Sequence, residues 1–245
     1  MMNKFIHLLI GEFTRLKKYN VILVNLLVTA IWLLALYFIE DNNLFNSMLP
    51  FILMIDTTMM ASLFIGATMF FEKSEQTIAT LLVTPSSHHM HIWAKVVANT
   101  VHMLFGSILI ALIFYFVRQV EINFFYLLVA LLLTTIFHSI LGFVFSYLSK
   151  EFTSMLMVMM AYSLLFMIPT ILYNFNIIFV GDVYKYILIL SPSQAALYLL
   201  ESAVNGVFKL ESGLAIAALV LYSVLLYVLV VAPKYKSYTI KQSGV

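Results

Sequence analysis

Six stretches of about 20 apolar residues, almost free of charge, dominate this chain. They lie at about 19–39, 47–71, 95–117, 124–148, 153–173 and 212–232. A helix rises about 1.5 Å per residue, so each is long enough to cross a hydrocarbon layer of roughly 30 Å. Of 245 residues, 63% are apolar and 10% charged, and mean hydropathy is +1.04. A soluble domain carries about 25% charge. No soluble core in so short a chain can bury this much apolar surface, so the solvent of the folded chain is lipid. The expected fold is all-α integral membrane, a single domain over 1–245. Cys is 0, which excludes disulfides, thiolate metal sites and cysteine nucleophiles. A net charge of +2 is too small to suggest nucleic acid as a partner. Glu12, Arg15, Lys17 and Lys18 precede the first long apolar run, and no small-residue cleavage site follows a short apolar core, so no cleavable signal is expected.

Orientation follows from Lys and Arg. With the N-terminus inside, Lys4, Arg15, Lys17, Lys18, Lys73, Lys95, Lys150, Lys234, Lys236 and Lys241 fall inside, and only Arg118, Lys185 and Lys209 outside. Glu40, Asp41, Glu121, Asp182, Glu201 and Glu211 fall outside. Both termini are therefore expected to be cytoplasmic, with 233–245 a cytoplasmic tail.

Three segments are not spans. In 1–18, Phe5, Leu8, Leu9, Phe13 and Leu16 recur at helical spacing, with charged residues mostly elsewhere. That pattern predicts an interfacial amphipathic helix, the alternative being an extension of the first span. In 72–93, a helical stretch carries Ile78, Leu81 and Leu82 on one side and ends at Thr84-Pro85-Ser86, because proline lacks the N–H and disfavours helix before it. In 174–211, the residues after Asn174 stay apolar but are too short to cross. Ser191-Pro192-Ser193 reads as a turn with an N-cap, 194–204 as a short amphipathic helix, and Asn205-Gly206 as its breaker. Two short helices dipping into the outer leaflet fit best.

The arrangement resembles the ABC-2 family of ABC-transporter permeases. The residues that carry the resemblance are Glu72, then Thr77-Ile78, then Leu81-Leu82-Val83-Thr84-Pro85, then Lys95. The chain departs from the family at Gln76, where a glycine is common, and at Ala79, where an acid is common. The resemblance implies six spans, a cytoplasmic coupling helix between spans two and three, and an external re-entrant helix pair before span six. It also implies a second permease subunit, giving about twelve spans around a path, and a separate cytoplasmic ABC ATPase. No GxxxxGK[ST] loop occurs, so the chain is not expected to hydrolyse ATP itself; no cofactor is expected on this chain, ATP and Mg being expected on the partner. The expected ATPase-coupling residues are Glu72, Glu75, Thr77, Ile78, Leu81, Leu82, Thr84 and Pro85. The two glutamates would pair with basic groups on the ATPase, and the apolar side chains would fill its groove.

Other residues invite a function. His88 and His91 stand at i, i+3, close enough to share a metal, but without Glu72 or Glu75 folding back nothing completes a ligand set; a solvated or headgroup-contacting loop is the preferred reading, ahead of a pH-sensitive contact with the ATPase or a metal site. Asp56 is the one acid inside a span. It either marks a pathway or pair, with Arg118 a possible partner, or is satisfied by a hydroxyl. His102 and His138 lie at similar depth, where they can face each other or simply pack. Methionine adapts to varied apolar ligands. Asp56, Met59, Ser62, Met155 and Tyr162 are accordingly the candidates for a substrate path, partly because spans two and five line the dimer interface in the family. No Ser-His-Asp, paired-carboxylate or HExxH pattern appears at believable spacing, which disfavours an intramembrane hydrolase.

The expectation is the permease of an ATP-driven exporter in a bacterial plasma membrane. It moves a drug-like molecule or small peptide, the stretch 72–95 being closest to the drug-export branch. The alternatives are export of a lipid-linked glycan, an antimicrobial-peptide immunity module, and an ion-coupled secondary transporter.

Overall fold

The computed structural model describes residues 2–38, 42–77, 86–179 and 181–242. Among them every regular element is helical. Helix α1 is Met2–Lys18 and α2 is Val21–Phe38. Helix α3 consists of Asn42–Ile55, a π-helical turn Asp56–Met60, and Ala61–Ser74. Helix α4 is His88–Arg118 and α5 is Phe124–Leu148. Helix α6 runs through Phe152–Tyr162, a π-turn Ser163–Met167 and Ile168–Asn174. Two short helices, α7 (Asp182–Leu188) and α8 (Pro192–Asn205), precede α9, which joins Leu210–Leu226, a π-turn Tyr227–Val231 and Ala232–Gln242. Helices α3, α4, α5, α6 and α9 are each long and apolar enough to cross a membrane.

Helix α1 does not continue α2 in line. Asn20 takes φ 57°, the left-handed conformation asparagine tolerates, and the axes of α1 and α2 differ by 60°. The apolar stripe of α1 thus turns back onto α3 and α4, where Leu16 packs with Ala61, Phe64, Ala98 and Met103. Helix α1 and the last segment of α9 both pack near the start of α4, at one end of the bundle. We call it the terminal end.

Helix α5 is central, contacting α3, α4, α6, α8 and α9. Its first turn is capped by Asn123, whose Oδ1 accepts from the Phe125 and Tyr126 amides at 3.1 Å. In lipid, helices gain little by hiding apolar surface from one another, so close backbone approach and polar contacts decide packing. Gly142 of α5 lets α3 in: a Cβ there would lie 2.7 Å from the Ser62 carbonyl oxygen. Gly106 of α4 does the same for the Asn25 side chain of α2.

At the opposite end, α8 is held by an Asn174–Gln194 hydrogen bond of 3.1 Å and by the Asn123 amide donating to Ala203 O at 2.8 Å. It ends at Gly206, φ 66°. The pattern of 194–204 suggested a short amphipathic helix of a pair dipping into the outer leaflet. Instead nearly every residue of α8 is buried, wedged among α3, α5 and α9. Its polar positions, Ser193, Gln194 and Ser202, face protein rather than water, which periodicity alone does not distinguish.

Replacing Gly142 with valine is expected to destabilise the purified protein by about 1–3 kcal/mol through overpacking. Gly213→Ala, where the nearest atom is 3.7 Å from the added Cβ, should change stability by less than about 0.5 kcal/mol. Thermal unfolding of both variants in detergent checks the pair.

Candidate coupling site at the terminal end

Three helices meet where α3 ends and α4 begins. Helix α1 contributes Glu12 and Arg15 from adjacent turns, α3 contributes Glu72 from its last turn, and α4 contributes Lys95 two turns in. Glu12, Glu72 and Lys95 are 4%, 2% and 3% exposed. Lys95 Nζ donates to Glu12 Oε2 at 2.9 Å and also to Glu72 Oε1. Arg15 Nη1 lies 2.5 Å from Glu12 Oε1 and 3.2 Å from Glu72 Oε1. Two acids face two bases, so the formal charge is zero. Each buried ion costs several kcal/mol to dehydrate, and only this mutual neutralisation offsets it.

A second, exposed pair lies beside it. Lys18 Nζ reaches Glu75 Oε2 at 2.6 Å and the Tyr19 hydroxyl donates to the same oxygen at 3.1 Å. The Lys18 hydrogen bond holds the Glu75 carboxyl below its usual range. The last turn of α3 then closes in a Schellman motif: Thr77 N donates to Glu72 O at 3.0 Å and Gln76 N to Lys73 O at 3.1 Å. Gln76 sits at the left-handed position of that motif, with φ 56°. This accounts for the glycine that is common at this position in the family. The position asks for glycine, and glutamine occupies it at a conformational cost.

Of the expected coupling residues, Glu72, Glu75 and Thr77 are gathered here. Glu72 was expected to offer its charge to an ATPase. Its carboxylate is instead buried and taken by Lys95 and Arg15, the two bases that balance Glu12 and Glu72. Thr77 Oγ1 donates to Glu72 O at 3.2 Å. Ile78, Leu81, Leu82, Thr84 and Pro85 lie outside the described residues. Glu12, Arg15 and Lys18 were missed as site residues. A signal existed: Leu8, Glu12 and Leu16 stand at i, i+4, i+8, so Glu12 is an acid in register with the apolar stripe.

The expected path residues sit inside the subunit. Asp56 Oδ2 accepts from Ser107 Oγ at 2.7 Å, so a hydroxyl rather than Arg118 is its partner, and Oδ1 has none among the described residues. Ser62 Oγ lies within hydrogen-bond reach of Thr58 O at 3.0 Å and His138 O at 2.9 Å. Met155 is fully buried beside Gly66. Tyr162 bonds His138 Nε2 at 3.0 Å, while His138 Nδ1 donates to Thr134 O at 2.8 Å. His138 therefore does not face His102, whose ring packs against Phe64 at 5.5 Å. Met59 is half-buried, with Ser163 Oγ 3.2 Å from its sulfur. The apolar side chains that α6 presents outward are others, including Met157, Met160, Leu164 and Leu165.

The histidines belong to the first turn of α4, not to a loop. His91 is 3% exposed with Nε2 2.6 Å from Ser86 Oγ, and His89 Nδ1 lies 2.5 Å from the Tyr227 hydroxyl.

A bundle of apolar spanning helices, with α1 turned 60° from α2 and a polar corner where α1, α3 and α4 meet, defines a multi-pass α-helical membrane protein. The family model for the ABC-2 type transporter matches residues 3–205, from α1 through α8, and the chain belongs to that family. No curated protein matches the chain in sequence. Membership makes it the permease subunit of an ABC transporter, a transport domain and not itself an ATPase, with an ATPase as its partner.

Lys95→Met leaves two buried acids facing one arginine and should cost about 3–5 kcal/mol. Adding Glu72→Gln should restore part of that loss; thermal unfolding of the single and double variants reads it. Gln76→Gly relieves the left-handed backbone and should stabilise by about 1 kcal/mol. An unchanged or lowered unfolding temperature for that variant would contradict the assignment.

Proposed function

We propose that the chain is half of the membrane domain of an exporter in a bacterial plasma membrane, with both termini cytoplasmic. It pairs with a second permease subunit and moves a hydrophobic or amphipathic compound, drug-like or a small peptide, outward. A separate ATPase docks on the coupling segment through Glu75, Ile78, Leu81 and Leu82.

The ion-locked corner carries this reading. A push on the loop joining α3 and α4 reaches Glu72, and Lys95, Glu12 and Arg15 tie Glu72 to two other helices. The three elements then move as one body, which suits rigid-body alternation driven by ATP. Glu72 and Thr77 serve from within, fixing the loop's base. The substrate path in this reading follows the outward face of α6, with Met157 and Met160 on it and Met59 at its edge. Methionine suits varied apolar ligands. Asp56, Ser62, Met155 and Tyr162 form the rigid backing of that face.

The test is co-expression with an ABC ATPase encoded beside the gene. The ATPase should co-purify with the wild-type chain and be lost when Leu81 and Leu82 are both changed to aspartate. Reconstituted complex should hydrolyse ATP faster with particular members of a panel of drugs, peptides and lipids. Undiminished co-purification by the double variant would sink the docking assignment. Stimulation by lipid-linked glycans alone would sink the substrate class.

A further inference from the structure

A second polar site lies at the terminal end, apart from the ion-locked corner. The start of α4 and the last segment of α9 enclose a cavity of about 200 Å³, lined by Ser86, Ser87, His88, His91, Tyr235 and Lys236, with Thr239 at its edge. Among the described residues no carboxylate lines it. Among the described residues no acid lies within ion-pair distance of Lys236, and Glu12 and Glu72 are already engaged by Lys95 and Arg15. The lining is thus an ammonium, two imidazoles and several hydroxyls. The site is also more than an open helix end, because Ser87 already caps α4 by accepting from the Met90 amide. The cation and the imidazoles come from side chains on two different helices.

Position narrows the ligand. Trp93 packs on Tyr227 at 5.2 Å and Tyr147 on Tyr238 at 4.9 Å, which puts amphipathic rings on α4 and α9, the helices that line the cavity. Such rings favour headgroup level in a membrane. Farther along α9, away from the terminal end, Leu225, Val228 and Leu229 are exposed, the last by 67%. A molecule with a phosphate in the cavity and hydrocarbon along α9 satisfies both surfaces at once.

We propose that this cavity binds the phosphate of a membrane phospholipid in the leaflet at the terminal end, Lys236 and His88 contacting the phosphate oxygens and the acyl chains lying on α9. A free phosphate shares the headgroup chemistry but leaves the α9 face unused. The site stands independently of the transport reading.

Native mass spectrometry of the full-length chain in detergent tests it, with dioleoyl phosphatidylglycerol, dioleoylglycerol and inorganic phosphate as probes. Phosphatidylglycerol should bind and dioleoylglycerol should not. Lys236→Gln, and separately His88→Gln, should weaken phosphatidylglycerol by about tenfold, the size expected for losing a charge-assisted hydrogen bond. Lys234→Gln, at an exposed position outside the cavity, should leave binding unchanged and controls for general charge. Equal binding of the two lipids would overturn the proposal, as would an equal loss in Lys234→Gln. Inorganic phosphate binding as tightly as phosphatidylglycerol would overturn the lipid assignment in favour of a free anion. An unchanged elution profile of the variants on size exclusion separates lost binding from lost folding.

Discussion

An ammonium group deep in a protein that faces lipid must have anions beside it or not exist. Lys95 is that group here, and much of the terminal end is arranged around it. Its two carboxylates come from α1 and α3, so α1 has to fold back rather than run on into α2. The left-handed Asn20 makes the bend, and Arg15 balances the second acid. Neutrality is reached only when all three helices are in place, which makes the corner cooperative. Removing one charge exposes the others to an environment that cannot hydrate them.

The same scarcity of water explains the rest of the interior. Three of the spanning helices contain π-turns, at Asp56–Met60, Ser163–Met167 and Tyr227–Val231. A π-turn loosens the regular backbone ladder, and in a membrane any freed group must find protein. Around the first turn that condition is met by hydroxyls. Thr57 Oγ1 lies 2.7 Å from Leu53 O, and Ser107 serves Asp56. Asn99 Nδ2 bridges Ala61 O at 2.9 Å and Ser139 Oγ at 2.8 Å, tying α4 to α3 and α5 at once. The polar residues inside the spans are thus mostly fasteners between helices.

Much of the fold was legible in the sequence because lipid imposes a length rule. Apolar runs mark spans and leave little choice of element. The break at Asn205-Gly206 was readable because Gly206 takes a left-handed angle, φ 66°, that few residues tolerate, and the turn at Ser191-Pro192 because proline suits the first turn of a helix. The burial of α8 was not readable, since Ser193, Gln194 and Ser202 look like a wet face until partners from other helices are in view. The site was half legible. Glu72 and Lys95 stood out as charges at span ends, but their burial together depends on Glu12, 83 residues before Lys95, and local spacing carries no such information. Gln76 ran the other way. It first appeared as a mismatch to the family's glycine, and its positive φ shows why glycine is usual there.

Helix α4 gives the ion-locked corner a mechanical meaning. At 1.5 Å per residue, Lys95 lies about 10 Å from the start of α4 and about 34 Å from Arg118 at its other end. A helix clamped at Lys95 is a lever with unequal arms. A tilt of the locked corner as one body about Lys95 would carry the far end of α4 about three times as far as its near end, in the opposite direction. The leverage is set by where one lysine falls in a single helix.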